Sequence, residues 1–199
     1  MKNLTFRQKQ SIETREKIFN CATKLFANLS YDKVKIADIC TAADVSIGSF
    51  YHHFGNKESI INEVYRSFDF KLQQLWDDYI QLSAKESIEF LISIQLKLLK
   101  KNGFIFATQF FKNQLNNELK YILDKSRFFY VKLFDVVKSG IENNEITGSQ
   151  EVITDTILRI SRGTIYDWCL HEGSYDLVDQ GLKDIDMIIS YYYRNNTFS

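Results

Sequence analysis

The chain has 199 residues (23.4 kDa), 45% hydrophobic and 25% charged, with no proline and only eight glycines. That composition excludes collagen-like, low-complexity and wholly disordered chains, and with so few helix breakers it predicts a mostly helical protein. The zero net charge divides unevenly: residues 1–57 carry nine Lys/Arg against five Asp/Glu, and the remainder has the opposite excess, so only the N-terminal end is suited to meet a polyanion.

Residues 9–28 place Ile12, Phe19, Ala22, Phe26 and Leu29 at three- and four-residue steps, which predicts an amphipathic helix. The pattern returns over 34–40 around Ile36, Ile39 and Cys40. Thr41-Ala42-Ala43-Asp44 breaks it before a second short helix at 45–52. A long helix is expected from Lys57, capped by Asn56, through Val64, Phe68, Leu72, Leu75 and Tyr79. Ser83-Ala84-Lys85-Glu86 has the form of a capping box opening a helix to Lys101, which Asn102-Gly103 closes. Further helices are expected at 104–115, 117–143, 149–171 and 177–194, the third of these ended by Gly173. The reading is all-α, about nine helices, with a boundary after residue 56: residues 1–56 form a three-helix head and residues 57–199 a helical body.

Two short helices joined by a tight turn, braced by an amphipathic helix and rich in positive charge, meet the requirements of a helix-turn-helix. Ser46, Ile47, Gly48 and Ser49 would open the helix that enters the major groove, Gly48 permitting close approach. Val45, Phe50 and Phe54 would face inward, while Tyr51, His52 and His53 offer ring donors to flanking phosphates.

Phe26-x4-Tyr31-x7-Ile39-x3-Ala43-x-Val45-Ser46-x-Gly48-x-Phe50-Tyr51-x-His53-Phe54-x2-Lys57-Glu58 resembles the DNA-binding domain of the tetracycline-repressor (TetR/AcrR) family over about fifty residues. The resemblance implies a homodimer whose three N-terminal helices bind double-stranded operator DNA and whose C-terminal body holds a small-molecule inducer and a dimer face. Carried over by position, Lys35 lies at the phosphate-contacting start of the second helix, Ser46 to Ser49 on the recognition helix, and Tyr51, His52 and Lys57 at backbone-contacting sites. The chain departs from the family pattern in four places. Ser30 replaces a glycine, and Val34-Lys35 replaces a Thr-Thr pair, removing a hydroxyl cap for which the Lys35 charge would substitute. Asp44 replaces a turn glycine, and Ala37 stands where some members present a base-reading arginine. Near the other end, Arg162-Gly163-Thr164-Ile165-Tyr166-Asp167-Trp168 followed by Ser174-Tyr175-Asp176 resembles the ending of a subset of that family.

Ile153, Ile157, Ile160 and Thr164 share one helical face and Leu182, Ile185, Ile189 and Tyr192 another, the stripes expected of a dimer-forming four-helix bundle. Phe106, Phe110, Phe128, Trp168 and His171 are the candidate contacts of a largely apolar inducer, although aromatic core filling reads the same way. Asp124, Asp135, Asp155 and Asp167 have no nucleophile or phosphate loop beside them, so enzyme chemistry is not expected. Three scattered cysteines and adjacent His52 and His53 predict no metal or other cofactor. The short apolar runs predict no membrane partner. The polar N-terminus predicts a cytoplasmic protein. The combined expectation is a transcription regulator, a repressor released from a palindromic operator by a small ligand. The rival is a dimeric small-molecule-binding or interaction module without sequence-specific DNA binding.

Overall fold

Thr5 opens the first helix: its hydroxyl accepts from the Gln8 amide and the Gln8 side chain accepts from the Thr5 amide, satisfying two N–H groups that the helix leaves without partners. The computed structural model describes residues 5–29, 31–77, 83–116 and 120–193. Among these, eight α-helices follow one another: α1 (Phe6–Asn28), α2 (Ile36–Ala43), α3 (Ile47–His53), α4 (Glu58–Asp77), α5 (Ala84–Asn116), α6 (Phe128–Glu142), α7 (Gln150–Leu170) and α8 (Leu177–Tyr192). Two 3₁₀ turns, Tyr31–Lys33 and Tyr121–Leu123, precede α2 and α6. Extended pairing among the described residues is limited to a single antiparallel bridge between Ile146 and Tyr193. Tyr79, Ser30, Asn117 and residue 194, where expectations also fell, lie outside the described residues.

The expected break at Asn102-Gly103 is present as a kink inside α5, where Gly103 has φ 83° and ψ 164°. That conformation is not helical, so α5 consists of two helical segments that meet at Gly103, and the nine expected helices correspond to the eight elements with α5 divided at its break. The helix expected over 117–143 begins only at Phe128. Asp124 accounts for the delay: its Oδ1 accepts from the Ser126 amide (2.8 Å), an arrangement that competes with the helical hydrogen bond. Asp44 adopts the left-handed conformation (φ 48°, ψ 55°) that the turn after α2 demands, as its tolerance for that region predicts.

Apolar side chains collect in two cores. The head core contains Ile18, Ala22 and Phe26 of α1, Ile39 and Ala43 of α2, and Phe50 and Phe54 of α3 with its cap. It also takes Ile60, Ile61, Val64 and Tyr65 from α4 and Phe106 and Phe110 from α5, so head packing extends past residue 56 into the body. The body core is built from α4 to α8, including Leu91, Leu96, Leu133, Ile157 and Ile185. Close approach of α6 to the start of α5 requires Gly140, because a Cβ there would lie 2.6 Å from that of Ala84.

This packing corrects the expected dimer face. Ile153, Ile157, Ile185 and Ile189 are all buried within one chain, where α7 and α8 pack on each other and on α5. Ile160 and Tyr192 are half-buried against the same core, and Leu182 is half-buried beside Lys97 and Lys100. Of the residues expected at the interface, only Ile160 and Thr164 line the outward groove between α7 and α8, together with Arg159, Gly163, Asp184 and Met187. A helix pair that must also close its own core presents its stronger apolar stripe inward, leaving the weaker one for a partner.

Candidate nucleic-acid interface and inner cavity

Ser46 caps α3, its Oγ accepting from the Ser49 amide at 3.0 Å. The helix buries Phe50 fully and leaves Ile47, Gly48, Tyr51 and His52 exposed. Lys35 is also exposed, just before α2, and no side chain takes the place of the missing hydroxyl cap; Asp38 supplies only the reciprocal half of a capping box, its Oδ2 accepting from the Lys35 amide at 2.8 Å. The outward face of α3 thus carries one aliphatic side chain, one bare backbone position and two ring donors, a set that fits a groove of base edges flanked by phosphates.

Two of the residues expected at that face serve differently. The Lys57 ammonium turns inward to donate to the carbonyls of Tyr31 (2.7 Å) and Val34 (2.9 Å), and lies 4.0 Å from the centre of the Tyr31 ring. It holds the α1–α2 connection against the start of α4, so in this arrangement its ammonium is engaged within the head instead of reaching out toward a phosphate. His53 is half-buried, and burial lowers its ring below the ordinary value with help from His52 and Arg15. The shift favours the neutral ring, which retains one N–H donor for a phosphate but not the charge.

Arg15, which the sequence reading left unassigned, ties these elements together. Its guanidinium donates to the His53 carbonyl at the end of α3 and to Glu63 Oε2 on α4 (2.8 Å), and stacks over the Phe54 ring. A three-way clamp from one side chain has no local signature, since its partners stand 38 and 48 residues away. The lowered His53 value has a sign. As pH falls through 6.5 the unfolded chain takes up this proton before the folded one does, so the head loses stability toward acid. The melting temperature is expected to decline more steeply between about pH 7 and about pH 5 in the wild type than in His53→Gln, as scanning calorimetry would read it.

A narrow cavity lies among α4, α5, α6 and α7. It opens to solvent at a mouth, and its free volume is about 50 Å³. The walls are chiefly apolar, including Val64, Phe68, Leu98, Phe110, Phe129 and Leu158, with Gln95, Asp124, Arg127 and Arg162 as the polar exceptions. Tyr65 is the other wall residue of note. Its ring stacks on Phe110 (4.2 Å) under the Arg127 guanidinium (4.6 Å), and its hydroxyl is buried without a hydrogen-bond partner among the described residues. Burial raises that hydroxyl far above its ordinary value, so it is a neutral donor waiting for an acceptor. Arg127 in turn forms a two-pronged pair with Asp69 of α4, both bonds at 2.9 Å.

Of the five aromatic residues expected at an inducer, Phe110 alone lines this cavity. Phe106 is buried in the head core, and Phe128 packs against the body core under Lys132. Trp168 is buried with its Nε1 donating to the Tyr175 carbonyl. His171 is exposed at the end of α7 beside Asp167. The cause is geometric: the C-terminal turn of α7 is used to dock the loop into α8, which leaves its middle turns, at Leu158, Arg162 and Ile165, to face the cavity. Among the described residues no group of three or more His, Cys, Asp or Glu side chains could hold a metal ion, and no helix is long and apolar enough to cross a membrane.

Comparison with known proteins agrees with this geometry. Residues 18–64, from α1 to the first turns of α4, match the family described as bacterial regulatory proteins, tetR family. The fatty acid metabolism regulator protein of Bacillus subtilis (strain 168) is 24% identical over 179 residues, covering 87% of this chain and 92% of the relative. The structure of the regulator FadR from B. subtilis in complex with stearoyl-CoA superposes with a TM-score of 0.67 at 20% identity, covering 88% of this chain and 97% of the other. FadR of Thermus thermophilus in complex with lauroyl-CoA gives 0.65 at 16% identity, with 93% and 98% covered.

Proposed function

Because the chain is a DNA-binding transcriptional regulator of the tetR family, we propose that it binds a palindromic operator as a homodimer, represses from there, and is released by a long-chain acyl ligand seated in the inner cavity. The observation that carries this reading is a set of shared residues. Val64, Tyr65 and Phe110 belong to the head core and also line the cavity, so an occupant touches side chains that position the recognition helix. The cavity's apolar walls and the acyl-CoA complexes of two structural neighbours support an acyl chain as occupant.

One α3 helix covers too few base pairs for specificity, so two copies must present theirs about 34–36 Å apart. The groove holding Arg159, Gly163 and Met187 is the face available for that pairing, since the stronger stripes of α7 and α8 are already buried. A ligand that fits the cavity better when α4 is displaced shifts the pair toward a spacing that no longer matches adjacent grooves.

The test is a mobility-shift titration with DNA from upstream of the gene. The wild type is expected to shift that DNA at low salt, with affinity falling steeply as salt rises, and to release it on addition of palmitoyl-CoA. Tyr51→Ala is expected to keep the fold and lose most of the shift. A wild type that binds no such DNA, or a Tyr51→Ala variant that binds it equally well, would support an interaction module instead.

A further inference from the structure

A second hollow lies on the outside of the body between α5 and α7. It is almost wholly apolar, lined by Phe111, Leu115, Tyr166 and Leu170 with Lys112 at its edge, and it is open to solvent. Leu115, Tyr166 and Leu170 are each more than half exposed, an unusual concentration of large apolar side chains on one surface. Phe111 and Arg162 line this hollow and the inner cavity alike, so the two spaces meet at those side chains.

Arg162 is the unusual group at the junction. Its guanidinium is half-buried and near enough to Asp155 and Arg159 to feel both charges, yet among the described residues its one hydrogen bond runs to the Ile122 carbonyl at 3.4 Å and no carboxylate forms an ion pair with it. Elsewhere in the body, the partly buried Arg127 is matched by a two-pronged carboxylate. A guanidinium carries five N–H donors in a planar fork, so Arg162 stands where the two spaces meet with most of its donors not taken by an acceptor among the described residues. Such donors call for an acceptor oxygen brought in with the ligand.

We infer that the two hollows form a single ligand tract with Arg162 at its waist. The guanidinium donates to the carbonyl end of an acyl chain, the chain lies in the inner cavity, and whatever the carbonyl carries leaves across Tyr166 and Leu170. This rests on the acyl-ligand reading above and adds to it the residue that recognises the head of the ligand. A free carboxylate and a coenzyme thioester share the acceptor chemistry.

Isothermal titration of the full chain with palmitic acid and with palmitoyl-CoA separates the sources and tests the assignment. The probe that the wild type binds more tightly identifies the source. Arg162→Gln is expected to bind that probe about 10- to 100-fold more weakly, Arg162→Lys to fall between the two, and both to bind operator DNA normally when no ligand is present. Wild-type affinity in Arg162→Gln overturns the inference and leaves the acyl reading standing. A wild type that binds neither probe overturns the acyl reading, and this inference with it. Should Arg162→Gln fail to fold, the exposed Tyr166→Ser carries the test: severalfold weaker binding of palmitoyl-CoA supports the tract and unchanged binding overturns it.

Discussion

Lys57→Met is expected to destabilise the head by about 2–3 kcal/mol while leaving the salt dependence of operator binding unchanged, measured at a temperature where the variant is folded. The ammonium donates to two main-chain carbonyls, at 2.7 Å and 2.9 Å, and sits over the Tyr31 ring. Methionine keeps the length and apolar stem of lysine but removes those charge-assisted bonds, each of which contributes about 1.5–3 kcal/mol before the side chain's freedom is counted. A lysine that neutralised a phosphate would behave in the opposite way: its loss would spare stability and lower the slope of log affinity against log salt by about one unit. Lys35→Met supplies that contrast within the same head. Lys35 is exposed and its ammonium has no hydrogen bond among the described residues, so its removal is expected to reduce the slope by about one and leave the melting temperature in place. A reduced slope with unaltered stability in Lys57→Met would return this residue to the phosphate-contacting set.

The head was legible in the sequence because its information is local. Helical period, an αL-tolerant aspartate and two inward phenylalanines all lie within about twenty residues, and each of Asp44, Phe50 and Phe54 takes the conformation or burial its chemistry demands. What the sequence left unread is long-range. The inward turn of Lys57 cannot be read from the sequence because its acceptors, the carbonyls of Tyr31 and Val34, are main-chain atoms that no pattern displays. The stripe of Ile153, Ile157, Ile185 and Ile189 carried the correct helical faces but not the direction those faces point. An apolar stripe looks the same whether it closes the chain's own core or meets a second copy. The cavity escaped for a related reason. Aromatic residues signal burial, whereas its distinctive groups are polar ones left incompletely matched, Tyr65 and Arg162, and unmet hydrogen-bonding capacity becomes visible only when the neighbours are placed.

Breaking the pair between Arg127 and Asp69 is expected to be costly to the body and, once repaired, to separate ligand binding from release. Both side chains are mostly buried and meet through two bonds at 2.9 Å, so Arg127→Met leaves a desolvated carboxylate alone on α4 and costs about 3 kcal/mol or more. Replacing both partners with apolar residues removes the stranded charge, and Arg127→Met/Asp69→Leu is expected to regain most of that loss in a denaturant-unfolding cycle. The functional consequence follows from where the pair sits. Arg127 precedes α6, lines the cavity and covers the Tyr65 ring, while Asp69 lies one turn beyond Tyr65 on the helix that continues into the head core. A ligand that displaces the α6 side of the cavity can pull α4 through this pair, whereas apolar replacements slide past one another. The repaired double variant is therefore expected to bind operator like the wild type and to need at least about tenfold more ligand for release, a coupling loss of about 1.4 kcal/mol. Release at wild-type ligand concentrations would assign the transmission to the stacked rings of Tyr65 and Phe110, and the ion pair would then serve stability alone.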